Sequence, residues 1–298
     1  MTFQFTKYRK IYYTISALCV VVSLLAITFL GLNPGIEFVG GSVIELDYDE
    51  QVPSVAEANE MLEEAGLEGA NVQLVGDSSL LVRSDVAEED ARRLIMDTLP
   101  EADRVHSEAV SPVIGDELRS SALTAIIIAS ALVVAYIAVS FREDDGSVNS
   151  VRYGVIATGI AFLHDMLIIV GIFSILGYLY GVQVTIPITV ALLTTLGYSI
   201  NDTVVIFDRI RENLRKNKSG RDSLEKIVNT SLNQVLGRSV GTSVTTLCVL
   251  FALLFFGGAT LYYFVLALIL GVALGTYSSI FLAGCFLIDW EGLTKKRK

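Results

Sequence analysis

Six long apolar stretches dominate the chain: roughly Tyr12–Gly31, Ser120–Ser140, Tyr153–Leu176, Val184–Phe207, Arg238–Gly257 and Leu261–Ile288. About 20 mostly apolar residues carry a helix across the hydrocarbon core of a bilayer, so each stretch predicts a transmembrane helix. The last is long enough to predict tilt or an interfacial turn at its end. Between the first and second stretches the period changes. Gly40–Tyr48 (GGSVIELDY) alternates as a strand does. Ser54–Gly66 opens with Ser54 and Glu57 at capping-box spacing and closes on glycine, which predicts a helix. Asn71–Asp85 predicts two strands joined by a tight turn at Gly76-Asp77. Asp85–Leu99 predicts a second helix with an acid three residues after its cap, and Arg104–Val110 a last strand. The order β-α-β-β-α-β predicts a ferredoxin-like sandwich. The expected fold class is therefore a polytopic α-helical membrane protein of six transmembrane helices, with one α+β (ferredoxin-like, βαββαβ) extracytoplasmic domain between helices 1 and 2.

Charge supplies the orientation. The net charge of −10 is uneven: residues 32–118 hold 21 acids against four arginines, −17, and the remainder is +7. Lys and Arg in short loops mark the cytoplasmic side. Lys7, Arg9 and Lys10 precede the first span; Arg142 and Arg152 lie between the second and third; Arg209, Arg211, Arg215, Lys216, Lys218, Arg221 and Lys226 lie between the fourth and fifth; Lys295-Lys296-Arg297-Lys298 follows the sixth. The alternate loops, Gly177–Gln183 and Gly257–Thr260, carry no basic residue. Both termini are thus expected in the cytoplasm, and residues 32–118 outside it. The expected divisions are 1–31 (N-terminus and helix 1), 32–118 (outside domain), 119–290 (helices 2–6, with a cytoplasmic loop 208–236) and 291–298 (basic tail). The 209–230 segment reads as an amphipathic helix whose basic charges suit anionic lipid or serve only as topology signal. The first stretch exceeds a signal-peptide core and reads as an uncleaved anchor.

Composition agrees, with 52% hydrophobic and 18% charged residues. Cys19, Cys248 and Cys285 all fall in predicted spans, at spacings that match neither a disulfide framework nor a zinc site. There is no phosphate-binding glycine loop followed by Lys-Ser/Thr and no nucleophile–base set. Hence an enzyme is not expected, nor a metal, a cofactor or a nucleic-acid partner. His106 sits alone on a strand, where a structural or solvent-facing role is expected.

Polar groups inside the spans carry more weight. An ionised side chain at mid-membrane costs at least about 2.5–3.5 kcal/mol, so it persists where it is useful or paired. Asp165 follows His164 in the third span, on one helical face with Gly154, Thr158 and Ala161. Asp202 lies in GYSINDTVVIFDRIREN, sharing a face with Thr195 and Ser199, with Thr194, Tyr198 and Asn201 adjacent. Arg238 opens the fifth span, followed by Ser239, Thr242, Ser243, Thr245 and Thr246. Two such stripes should face each other or a water-filled cavity. Asp202 is then either a proton site, its charge balanced between burial and Arg238, or the static partner of a snorkelling Arg238. Asp165 and His164 are further proton candidates, or helix–helix hydrogen bonders.

Four motifs in order, GIEFVGGSVIEL, LHDMLIIVGIFSILG, GYSINDTVVIFDRIREN and GRSVGTSVTTL, resemble the SecF family, the smaller membrane subunits of SecDF protein-export complexes in the resistance-nodulation-division superfamily. The resemblance covers essentially the whole chain. It implies a SecD partner, work beside the SecYEG channel on unfolded preproteins, and use of the proton-motive force. It implies that Asp202 and Arg238 form the proton-relay pair and that Asp165 holds the family's His-Asp position. Asn201, Ser199, Thr195, His164, Thr242 and Thr246 are the expected supporting polar groups. One departure is Glu37, where the family usually has Asp; Gly35, Gly40 and Gly41 are expected to make a turn into the first strand. Residues alone would equally suit half of a small-molecule or lipid exporter of the same superfamily, or a passive assembly subunit.

Overall fold

The structure is a computed structural model that describes residues 3–49, 52–67, 70–75, 78–84, 86–140, 159–217 and 221–295. The Gly76-Asp77 turn, Asp85, Arg142, Arg152, Gly154, Thr158, Lys218 and residues 296–298 of the predictions above lie outside them. The chain belongs to the multi-pass membrane class. Among the described residues four helices are long and apolar enough to cross a bilayer: Phe5–Phe29, Ile186–Lys216, Leu224–Phe256 and Leu261–Glu291. A shorter apolar helix spans His164–Tyr180.

The elements run as α1 (Arg9–Phe29), a one-turn α2 (Ile36–Val39), β1 (Gly41–Asp47), α3 (Val55–Glu64), β2 (Asn71–Val75), β3 (Ser79–Ser84), α4 (Glu88–Thr98), β4 (Arg104–Val110) and α5 (Pro112–Ser140). A π-helical segment, Gly159–Met166, then leads into α6 (Leu167–Tyr180), α7 (Ile186–Lys216), α8 (Leu224–Phe256) and α9 (Ala259–Tyr277). A second π segment, Ser278–Ala283, joins α9 to α10 (Gly284–Lys295).

The strands form one antiparallel sheet in the order β2-β3-β1-β4, with Ile44 of β1 opposite Val82 and Ser107. Alternate residues of β1 and β3 are buried, as period-two side-chain geometry requires. Ile44, Leu46, Leu80 and Val82 on that face pack against Leu62 of α3 and Ile95 of α4. The capping box of α3 forms as read: Ser54 Oγ accepts from Glu57 N–H, and Glu57 reaches back to Ser54 N–H. The predicted cap of α4 does not: its N-cap is Ala87, with no side-chain cap.

Three boundaries differ from the sequence reading. Helix α7 runs past Phe207 to Lys216 and α8 begins at Leu224, where Ser223 Oγ accepts from Lys226 N–H, so much of the described part of 208–236 is helical. Arg238 therefore stands inside α8 rather than at its start. The sixth stretch is interrupted by π geometry at Ser278–Ala283.

The domain is seated on the bundle through backbone. Gly35 N–H donates to Val184 O at 2.8 Å and Val184 N–H to Asn33 O at 2.7 Å, a parallel bridge between the linker after α1 and the loop before α7. Gln73 of β2 donates through Nε2 to Gly181 O at 2.6 Å. Within the bundle α7 packs on α9 through glycine. A Cβ on Gly271 would come within 1.9 Å of Thr195 Cγ2, and one on Gly275 within 2.8 Å of Ser199 Cβ. Small residues let helix backbones approach in membranes, and here that approach brings α7's polar face against the start of the second π segment.

Candidate functional site

Helix α7 carries Pro187 in its first turn, where proline's missing N–H has no helical partner to lose. It buries Thr195, Ser199, Asp202 and Thr203 within the bundle. Two separate polar groups lie on it. On one side Asp165 of the first π segment is 4% exposed. Its Oδ2 accepts from Ser199 Oγ at 2.6 Å and from Ser278 Oγ at 2.8 Å. Its Oδ1 lies 2.7 Å from His164 Nδ1, and the His164 ring stacks near Tyr277. Three elements thus converge on one carboxylate. Ser279 Oγ donates to Ser199 O at 3.0 Å and lies 2.8 Å from Thr203 Oγ1, which extends the hydroxyl network along α7.

On the other side Asp202 turns toward α8. It is also 4% exposed, with Arg238 and Ser239 as the groups that act on it electrostatically. Yet Asp202 Oδ2 and Ser239 Oγ are both buried without a hydrogen bond among the described residues. Arg238 is exposed, and its charge acts on Asp202 without forming an ion pair with it among the described residues. The two acids therefore differ in kind. Asp165 has three donors and is solvated by the protein. Asp202 has an orphan oxygen, and a buried charge without a partner costs several kcal/mol. When charged, it requires a donor that a swing of Arg238, a turn of the Ser239 hydroxyl or an entering water can supply.

Of the other predicted groups, Thr195 and Ser199 face the interior as read. Thr195 Oγ1 donates to its own helix at Leu192 O. Asn201 is exposed, and the hydroxyls of Thr242 and Thr246 donate to carbonyls of α8 itself. The α8 residues that do face inward are Ser239 and Ser243; Ser243 Oγ lies 2.6 Å from Thr276 Oγ1, and Tyr198 OH donates to it at 3.3 Å. Sequence reasoning missed Thr276, Ser278 and Ser279. Their signal was the run Gly275-Thr276-Tyr277-Ser278-Ser279, a polar break in the sixth apolar stretch.

After α1, Gly35 caps the one-turn α2 in ordinary extended geometry, and the turn into β1 falls on Gly40-Gly41. Gly40 has φ +81° and Gly41 φ +127°, a region that side chains other than glycine's rarely adopt. Glu37 projects back toward the linker, and its Oε2 is buried without a partner. Its charge acts on Arg83 of β3, whose guanidinium burial holds below the ordinary arginine value against that attraction. Arg83 Nη1 donates to Gln73 Oε1 at 2.7 Å. His106 is exposed beside Glu108. No group of His, Cys, Asp and Glu among the described residues is arranged to hold a metal ion.

The model of the family described as "Protein export membrane protein SecD/SecF, C-terminal" matches residues 91–292, and that of the SecD/SecF GG motif matches residues 25–52. The protein translocase subunit SecF of Thermobaculum terrenum is 38% identical, over 96% of this chain and 93% of its own.

The chain belongs to the SecF family of protein translocase subunits.

The SecF of Synechocystis is 34% identical over 98% of this chain and 95% of its own length. The crystal structure of SecDF from Thermus thermophilus, a translocon-associated membrane protein, superposes with a TM-score of 0.84 at 33% identity, over 98% of this chain. The chain spans 39% of that SecDF chain. The GG motif of the family falls on Gly40-Gly41, the positive-φ turn, and the C-terminal family region takes in both intramembrane acids.

Proposed function

We propose that this SecF subunit pairs with a SecD subunit and couples inward proton flow to late steps of preprotein export beside the SecYEG channel. The observation that carries the reading is the contrast between the two buried acids: both oxygens of Asp165 have partners, and Asp202 keeps an orphan oxygen within the field of Arg238. A proton moving down the membrane potential releases about 2.3 kcal/mol per 100 mV. That is comparable to the cost of leaving a buried polar atom unpaired. Protonation of Asp202 removes the need for a donor, and loss of the proton draws Arg238 or water toward it. Either change shifts α7 against α8. Asp165, gripped by α7 and both π segments, is the second relay position, and the hydroxyls of Ser199 and Ser278 turn to serve either of its protonation states.

The reading extends to the full topology: six transmembrane helices, with the apolar stretches Ser120–Ser140 and Tyr153–Leu176 of the sequence completing the set, both termini cytoplasmic, and residues 32–118 as a ferredoxin-like domain outside the cytoplasmic membrane. That the chain matches only part of a SecDF chain, over nearly its whole own length, supports a SecD-like partner for the remainder. The large exposed apolar side chains of α1 and α8, such as Leu18, Val249 and Phe256, suit that partner or lipid. The domain would hold emerging unfolded chains, and the subunit performs no covalent chemistry of its own.

A depletion strain tests this. Wild type restores export of a secreted reporter, whereas Asp202→Asn co-purifies with SecD yet leaves precursor accumulated. If Asp202→Asn restores export fully, Asp202 is structural and the coupling path does not run through it.

A further inference from the structure

Helix α5 meets the rest of the chain at two levels. At its start Gly115 lies on α2, where a Cβ would sit 3.0 Å from Gly40 N and 3.1 Å from Phe38 C. Further along, Val133 packs against the cluster that includes Leu196 and Ile200 of α7. Between these levels a groove of about 480 Å3 separates α5 from α6 and α7. Ala122 and Ile126 form one wall, Phe173, Ile188 and Leu192 the other, and Phe38 part of the end nearest the domain. Arg119 is the one charged residue among those that line it. It is exposed, and no acid of the described residues is within ion-pair distance of it.

Each of these facts restricts the occupant. The walls are segments of apolar helices at membrane depth, so an aqueous filling would leave apolar surface wet. A flexible hydrocarbon chain fits such a slot, and the volume is ordinary for a small-molecule site. Arg119 sits at the domain-side mouth, where lipid headgroups lie, and a guanidinium pairs with phosphate through two parallel hydrogen bonds. We propose that the groove between α5 and α6–α7 holds one acyl chain of an anionic phospholipid from the domain-side leaflet, with its phosphate on Arg119. The bound lipid fills the gap beneath the GG-motif turn and ties α5 to the bundle. This site is separate from the basic 209–230 region at the opposite membrane face.

Native mass spectrometry of the full-length chain in mild detergent tests the assignment. The probes are phosphatidylglycerol and a diacylglycerol with the same chains but no phosphate. Wild type is expected to retain phosphatidylglycerol in preference to diacylglycerol. Arg119→Gln should weaken phosphatidylglycerol roughly tenfold, the scale of one charged hydrogen-bonded contact, and leave diacylglycerol unchanged. Ala122→Trp, which fills the groove, should displace both, and Ile126→Trp repeats the test if the first variant does not fold. Leu132→Trp, on an exposed part of α5 away from the groove, should change neither. Equal retention of both lipids by wild type, unchanged lipid binding in a folded groove-filling variant, or unchanged preference in Arg119→Gln would each overturn the proposal.

Discussion

At the scale of single residues, the difference between Asp165 and Asp202 makes separable predictions. Removing one hydroxyl from Asp165 leaves a buried carboxylate with fewer donors, which costs about 1–3 kcal/mol. Ser278→Ala should therefore lower the thermal midpoint of the detergent-solubilised chain, and Ser239→Ala should not, because Ser239 Oγ faces Asp202 without a hydrogen bond of normal geometry among the described residues. Equal losses from the two would mean that both acids are held alike. Much of this was legible in the sequence. An acid in an apolar stretch is costly, so Asp165, Asp202 and the neighbouring Arg238 stand out. Ser278 and Ser279 did not, because a serine in a membrane helix satisfies itself on its own backbone at little cost and reads as neutral. Only the fold shows that Ser278 spans to Asp165. The inward choice of Ser239 and Ser243 over Thr242 and Thr246 was hidden for the same reason: every second or third residue there is a hydroxyl, and the rotation of α8 decides which ones turn in.

At the scale of elements, the α7–α9 contact rests on glycine. Gly271→Val would drive its side chain into Thr195, whose Cγ2 lies within 1.9 Å of even a Cβ. Separating these helices also breaks the Ser199–Asp165–Ser278 junction. Overpacking alone costs about 1–3 kcal/mol, so this variant should assemble poorly and lower the midpoint by more than Ser278→Ala; a wild-type midpoint would contradict the close approach. Helix existence was readable from apolar runs, but their ends were not. Charge-rich turns of α7 and α8 beyond the hydrocarbon continue as helix, since polar residues there have water to face. The two π segments were invisible to a reading built on a 3.6-residue period. They re-aim His164-Asp165 and Ser278-Ser279 at the same point on α7.

At the scale of the whole molecule, the sheet domain stands on the bundle through the linker after α1 and the loop before α7. Gln73 binds both Arg83 and Gly181 O. Gln73→Leu should leave the domain folded but loosen its seat, raising the rate of proteolysis between residues 32 and 41 in the full chain; an unchanged rate would place the hold elsewhere. Leu62→Ala acts differently. Leu62 is fully buried in the sandwich core, and its truncation should cost about 2–5 kcal/mol and expose the whole of 32–118 to protease. The domain's strand and helix order followed from alternation and the Ser54 cap. Its seat on the 181–184 loop did not, since the acceptors there for Gln73 and Gly35 are backbone carbonyls, which carry no sequence signature.

The most direct test of the coupling claim is completion of a slowly translocated preprotein in inverted vesicles supplied with ATP and the SecA motor, with and without a proton gradient. Vesicles would carry wild type, Asp202→Asn or Arg238→Met, each co-assembled with SecD. The account predicts that the gradient speeds completion in wild type alone. A full gradient effect in Asp202→Asn would contradict it and move the proton path to Asp165 or to the partner subunit.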